Sequence, residues 1–302
     1  MINIVTVENK KLEKEFVQFP FKLYKNCEYW VPPIISEELE AMDKTKNPVF
    51  QNAEAEFYLA YKEGKVVGRI AAIVNWVEIE EQKKNKLRFG WYDTIDDVEI
   101  SKKLIEKVIE FGKKRKLDFI DGPVGFSNMD KAGLLTHGYE ELNTMITWYH
   151  FPYQKNHLTQ IGFKKLAEWV EYKIQIYSEK DAPEKVKKFA KIIQKRYDLK
   201  VINFKSTNEI IPYVDKMFEL LNVTYSNLQT YVTIKQYQID FYKEKFIKYI
   251  HPDFIKCLSD KEGNLIAFLI TMPSFSRALK KINGKLGLLG YFHLLKAQYF
   301  NN

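Results

Sequence analysis

Between Leu87 and Ser127 the chain reads as strand, helix, strand, and a parallel pair joined by one crossover helix is the simplest fold for that order. Leu87 to Asp93 carries Phe89, Trp91 and Tyr92 around Gly90, which suits a strand with a bend or a closely approached backbone. Asp96 or Asp97 can cap a helix in which, from Ile100, the apolar Leu104, Ile105, Val108, Ile109 and Phe111 recur at three- and four-residue spacing, with Lys102, Lys103, Glu106, Lys107 and Glu110 on the other face. Gly112 and the cations from Lys113 to Lys116 end it. Phe119-Ile120 is then a short second strand, stopped by Asp121-Gly122-Pro123. In an α/β sheet, ligands sit where the first strand of such a unit hands over to its helix.

The sequence around this unit predicts a mixed α/β (α+β) fold in two parts. With 302 residues and 46% hydrophobic content the chain can bury two cores. Ile2 to Val7 alternates as a strand, and Lys11 to Lys25 follows as a helix that Pro20 should kink or split. Tyr29-Trp30-Val31-Pro32-Pro33 is a stiff extended segment, a wall or a brace. Ile35 to Met42 is a short helix capped by Ser36, and Phe57 to Val74 is a hairpin turning at Glu63-Gly64. The hairpin recurs: Phe254 to Ser259 and Leu265 to Thr271 flank Glu262-Gly263. A strand from Leu199 to Phe204 precedes this second copy, followed by a helix with Ser206 and Glu209 as a capping box and a further helix from Thr233 to Tyr249. A repeat at this separation points to domain duplication, with the boundary in polar Ser178 to Pro183, giving residues 1–177 and 178–302.

After Ser127 a long polar loop runs through Asp130 and His137 to a short helix from Tyr149 to Gln160, and Leu166 to Ile176 alternates as a closing strand. The lysine runs Lys83 to Lys86 and Lys113 to Lys116 read as solvated faces. Cys27 and Cys257 stand alone as ordinary thiols, and the histidines show no metal-ligand spacing, so no metal is expected. The longest apolar run, Leu265 to Met272, is well short of the ~20 residues a bilayer needs, and no charged-then-apolar leader opens the chain, so a cytoplasmic protein without membrane partners is expected. The +8 net charge is carried mainly by lysine, a weak pointer to an anionic ligand.

The element order, with the hairpin Phe57 to Val74, the strand Phe89 to Asp93 leading into helix Val98 to Lys116, and the segment Asn156 to Lys165, resembles the GCN5-related N-acetyltransferase (GNAT) superfamily. Tyr29 to Pro33, Lys46-Asn47-Pro48, Gly68 to Ala72 and Gly122 to Ser127 are similar to an uncharacterised bacterial tandem-domain branch of it. The resemblance implies a GNAT-like mixed central sheet followed by a second, incomplete copy, and acyl transfer from acetyl-CoA or another acyl-CoA to a small-molecule or peptide amine. It implies an acyl-CoA along Trp91, Tyr92, Thr94 and Ser101, with Asp130 and His137 as candidate bases and Tyr153 or Tyr149 replacing the thiolate-protonating tyrosine, whose place Leu158 takes. Asp130 and His137 can equally cap their loop.

Two departures qualify this picture. The loop Asp93-Thr94-Ile95-Asp96-Asp97 has no glycine and three carboxylates where the superfamily holds a pyrophosphate. The second copy lacks a fourth strand, as in a fragment or a bracing remnant. Two other readings therefore stand beside acyl transfer: a protein like the aminoacyl-tRNA-dependent peptidyltransferases, with tRNA as partner, and a non-catalytic interaction module. Leu265 to Thr271, apolar on both faces, should be a buried strand with an open edge. Leu286 to Ala297 is expected to cover it as a helical lid, with self-association through this half.

Overall fold

The computed structural model describes residues 1–175, 178–228, 230–246 and 250–300. It is a mixed α/β structure that divides into two compact units, Met1–Glu168 together with Pro273–Asn302, and Trp169–Met272. The boundary expected at residues 177 and 178 falls inside the second of these, and Tyr177 is outside the described residues.

In the first unit, β1 (Ile2–Thr6), β2 (Ala53–Lys62), β3 (Lys65–Asn75), β4 (Lys86–Thr94) and β5 (Phe119–Asp121) form one sheet in that order. The first three pairings are antiparallel and β4 pairs β5 in parallel, as the crossover reading requires. The β2–β3 turn places Glu63 and Gly64 at φ 53° and 74°, which suits a two-residue hairpin turn. Helix α3 (Val98–Lys113) is capped by Asp97, whose Oδ1 accepts from Glu99 N at 3.1 Å. Its apolar stripe packs with Tyr58, Ile70, Phe89 and Tyr92 on one face of the sheet. Helices α1 (Lys10–Leu23) and α2 (Ile35–Met42) lie on the other, where Phe16, Val17 and Met42 pack with Phe57, Leu59 and Trp91. The residue before α2 is Ile34, with no side-chain cap, so Ser36 lies inside the helix and does not cap it.

Pro20 does not split α1, which continues through it to Leu23. A proline cannot donate to the carbonyl four residues earlier. That carbonyl, of Phe16, instead accepts from Arg69 Nη1 at 3.1 Å, so the orphaned acceptor is satisfied from β3. Lys86 also departs from expectation. Far from being solvated, it is 1% exposed and lies 2.7 Å from Asp121 and 3.0 Å from Glu78. Glu78 stands on a π-helical turn, Val77–Glu81, and its carboxylate also accepts from Arg88 Nε and Nη2 at 2.6 and 2.7 Å. Two cations and two carboxylates thus share one buried site, each charge matched.

After β5 the chain follows a long loop to α4 (Pro152–Ile161), which begins at proline and ends on Gly162 at φ 109°. The closing strand expected over Leu166 to Ile176 is absent from residues 166–175, and Ile176 lies outside the described residues. Alternation alone does not make a strand, which needs an edge to pair with. Trp169, Val170, Tyr172 and Ile174 are accordingly exposed.

Helices α8 (Ser276–Ile282) and α9 (Leu288–Tyr299) complete this unit. Leu279 and Ile282 pack with Val31, and Leu286 and Leu294 join them. Ile35 N donates to Gly284 O at 3.0 Å. The segment expected as a lid is therefore helical, but its Leu286 and Leu294 serve this cluster.

The second unit repeats the opening of the first. Strand β6 (Lys200–Ile202), helices α6 (Thr207–Tyr225) and α7 (Gln236–Phe246), and the hairpin β7 (Ile255–Ser259) and β8 (Leu265–Ile270) follow α5 (Glu184–Arg196). The sheet order is β6-β7-β8, all antiparallel, as for β1-β2-β3. Phe204, Ile210, Val214, Met217, Ile255 and Cys257 form its core. The expected capping box is open: Ser206 makes no side-chain cap, and Glu209 accepts from Lys205 N. Residues 247–249, the expected end of the second helix, lie outside the described residues. Strand β8 is not buried on both faces, since Ile266, Leu269 and Ile270 are exposed.

Candidate active site

Strand β4 changes face once. The β3–β4 register slips between Arg69 and Ala71, so that three residues of β4 are used for two of β3. The extra residue is taken up at Trp91, held at φ 48°, a conformation a bulky side chain adopts only under tertiary constraint. Phe89 and Tyr92 therefore face α3, whereas Trp91 lies on the α1 and α2 side, its Nε1 donating to Glu38 Oε2 at 2.8 Å. The bulge also turns Asp93 toward Arg69.

Strand β5 pairs with β4 only from Lys86 to Arg88. Val124 N then donates to Phe89 O at 2.7 Å, and a Cβ on Gly90 would stand 2.7 Å from Val124 O, so only glycine lets the two chains approach so closely. Beyond this point the two strands part. The edge of β4 past Gly90 is met by side chains: Gln154 Nε2 donates to Tyr92 O at 3.2 Å and Tyr153 Oη to Thr94 O at 2.8 Å.

A buried polar network lies at the parting. Arg69 Nε donates to Asp93 Oδ2 at 2.8 Å, and the Tyr24 hydroxyl donates to Asp93 Oδ1 at 2.6 Å. Gln154 Oε1 stands 3.2 Å from Tyr24 Oη and accepts from Phe151 N at 2.7 Å. Burial and then the Asp93 carboxylate hold the Tyr24 phenol well above its ordinary range, which keeps it a donor. Tyr24, Trp30, Glu38, Asp93, Lys131 and Trp148 line a cavity of about 20 Å³, room for a single water.

On the α3 side, the start of the helix is filled by this chain's own groups. Asp97 Oδ2 is 2.9 Å from Lys62 Nζ, and that ion pair lowers the Asp97 carboxyl below its usual range. Asp96 Oδ1 meets His157 Nε2 at 3.1 Å, His157 Nδ1 meets Ser101 Oγ at 2.9 Å, and Tyr92 Oη donates to Ser101 Oγ at 2.7 Å.

The expected cofactor residues thus split. Tyr92, Thr94 and Ser101 form one buried hydrogen-bonded cluster, and Trp91 sits across the sheet from them. The expected catalytic residues do not converge either. Asp130 caps its own loop, accepting from Ser127 N at 2.9 Å, and exposed His137 meets its neighbour Thr136, Nδ1 to Oγ1 at 3.2 Å. Tyr153 alone reaches the open edge of β4, and burial raises its phenol far above the usual range. Tyr24, Asp93, Arg69, Gln154, His150 and His157 were missed. Arg69, a cation inside the aliphatic run Val66 to Val74, was the one available signal.

His150 gives a measurable handle on this site. It is 1% exposed, accepts from Leu135 N at 3.3 Å, and burial moves its pKa from the usual 6.5 to about 4. Between those values the unfolded chain binds the additional proton, so stability should fall as pH drops through the window, by roughly 3 kcal/mol in full. Urea midpoints measured from neutral pH downward should fall more steeply for the wild type than for His150→Gln. Coincident slopes would show that His150 is not the titrating group.

No family model matches the chain. It is 25% identical over 294 residues to Protein YghO of Escherichia coli (strain K12), covering 96% of this chain and 73% of that protein. It is 21% identical over 302 residues to a bacterial ceramide synthase of Caulobacter vibrioides (strain NA1000 / CB15N), covering 97% of this chain and 76% of that one. Solved structures similar to it include a tandem GNAT protein from the clavulanic acid biosynthesis pathway, with TM-score 0.44, 11% identity, and coverage of 89% of this chain and 73% of that chain.

Proposed function

We propose that this chain is a GNAT-like tandem protein whose first unit transfers an acyl group from an acyl-CoA to a primary amine. The observation that carries the reading is the parallel β4–β5 pair, whose chains are joined as far as Val124 N and Phe89 O, with the β4 edge beyond met by Tyr153 and Gln154 and the buried Asp93–Tyr24 pair beside it. The likeness to a protein named a ceramide synthase, along almost the whole chain, supports an amine acceptor, since a ceramide is the amide of a long-chain amino alcohol. In the reaction the amine nitrogen attacks the thioester carbonyl, the C–N bond forms, the C–S bond breaks, and the nitrogen gives up a proton to solvent, which balances the proton the thiolate takes up. Tyr153 is the group we assign to protonate the departing thiolate, since its hydroxyl reaches the β4 edge at Thr94 O.

The test is amine-dependent release of free CoA thiol, with acetyl- and long-chain acyl-CoA as donors and a panel of small and long-chain primary amines as acceptors. Release and an amide product are expected, and Tyr153→Phe should lower turnover about a hundredfold with little change in KM. Folded protein that gives no amine-dependent thiol with any donor overturns the reading.

A second reading, a binding module without turnover, is favoured by one observation. Asp97 already supplies the anion at the α3 start, with Asp96 beside it, so the end of the site that would take a pyrophosphate is poorly suited to one. Calorimetry distinguishes the two, since this reading expects no acyl-CoA binding.

A further inference from the structure

Helix α5 (Glu184–Arg196) buries none of its residues. Val186, Phe189, Ala190 and Ile193 recur at i, i+3, i+4 and i+7, so they form a single apolar face, and Val186, Phe189 and Ile193 are 59, 52 and 48% exposed. A short helix is marginal in water on its own propensity and is ordinarily held by packing that face against something. The remaining surface says what that is. Lys185, Lys187, Lys188, Lys191, Lys195 and Arg196 stand around the stripe, and Glu184 is the sole acid within the helix, paired with Lys187 at 3.0 Å.

Lys185 Nζ lies 6.0 Å from the Phe189 ring centroid, so a cation flanks the apolar face with its stem along the ring. A second copy of this face would bring the flanking cations Lys185, Lys187 and Arg196 against their counterparts, a repulsion that its few apolar side chains would have to overcome. A negatively charged lipid surface satisfies both parts at once: acyl chains take the stripe and headgroups take the cations. Among the described residues no helix is long and apolar enough to cross a membrane, so the contact is with the surface only.

We propose that α5 docks this protein on anionic bilayers, lying in the headgroup plane with Val186, Phe189 and Ile193 inserted. The proposal is independent of acyl transfer. The full chain is floated with vesicles of phosphatidylcholine alone or with roughly one quarter phosphatidylglycerol, at low and high salt. Wild type should float with the anionic vesicles at low salt and stay behind with the neutral ones. Phe189→Ser/Ile193→Ser, which keeps every charge, and Lys188→Glu/Lys191→Glu, which keeps the stripe, should each weaken binding at least about tenfold. All four positions are exposed, so unchanged thermal melts are expected and serve as the folding control.

Failure of wild type to float with anionic vesicles, or variants that float as well as it does, overturns the proposal. So does wild-type dimerisation in light scattering that the serine variant abolishes without any vesicle binding, which would assign the face to a second copy.

Discussion

Glu78→Ala should cost the first unit about 3–5 kcal/mol, the penalty for leaving a buried charge without its partner. Glu78 is 1% exposed and is the shared acceptor of Arg88 and Lys86, themselves 0% and 1% exposed. Without it Lys86 keeps Asp121 at 2.7 Å, but Arg88 loses both bonds to the Glu78 carboxylate and retains the neutral Gly125 carbonyl at 3.0 Å. The cost comes from desolvation: guanidinium removed from water must recover its hydration from a carboxylate. Glu78→Ala combined with Arg88→Met should therefore be less destabilised than Glu78→Ala alone, even though more contacts are lost. Of the five tryptophans, Trp30, Trp76, Trp91 and Trp148 lie in Met1–Glu168, so tryptophan fluorescence in urea follows this unit. A loss below about 1 kcal/mol would mean that water reaches the pair, contrary to its burial.

Asp93→Ala should cost a similar amount, about 3–5 kcal/mol, for the same physical reason and at the proposed site. Arg69 is 4% exposed and donates Nε to Asp93, while its Nη1 holds the Phe16 carbonyl that Pro20 cannot serve. Losing the carboxylate leaves a buried guanidinium with one neutral acceptor and its stacking on the Phe16 ring, 5.0 Å to the centroid. It also removes the 2.6 Å acceptor of the Tyr24 hydroxyl, leaving it Gln154 Oε1 at 3.2 Å. Asp93→Ala with Arg69→Met should recover part of the loss, a coupling of more than about 1 kcal/mol in a double-mutant cycle. Additive effects of the two changes would show that the pair does not interact in solution.

Much of the first unit is legible along the chain because it rests on short-range rules. Alternation and a glycine turn fix the β2–β3 hairpin, helical spacing and an aspartate cap fix α3, and glycine within an aromatic strand marks the close approach at Gly90. The duplicated order was legible for the same reason, and β6-β7-β8 repeats the pairing of β1-β2-β3. Other features needed the tertiary structure, because each depends on a partner far away in sequence. Lys86 lies in a run that reads as solvated, and only the fold sets Asp121, 35 residues on, beside it. Pro20 reads as a helix breaker until Arg69, 53 residues from Phe16, fills the freed carbonyl. Leu166 to Ile174 alternates like a strand but finds no edge to pair with, and hydrogen-bond pairing, not alternation, makes a strand. The site shows the division most plainly. A one-residue bulge at Trp91 inverts the facing of everything after it in β4, so Tyr92 and Thr94 join Ser101 on the α3 side and Asp93 joins Tyr24 and Arg69 on the other. Side-chain facing along a strand follows from counting by two only while the ladder is unbroken; where it breaks is decided by the packing of Val124 and Trp91, not by local sequence.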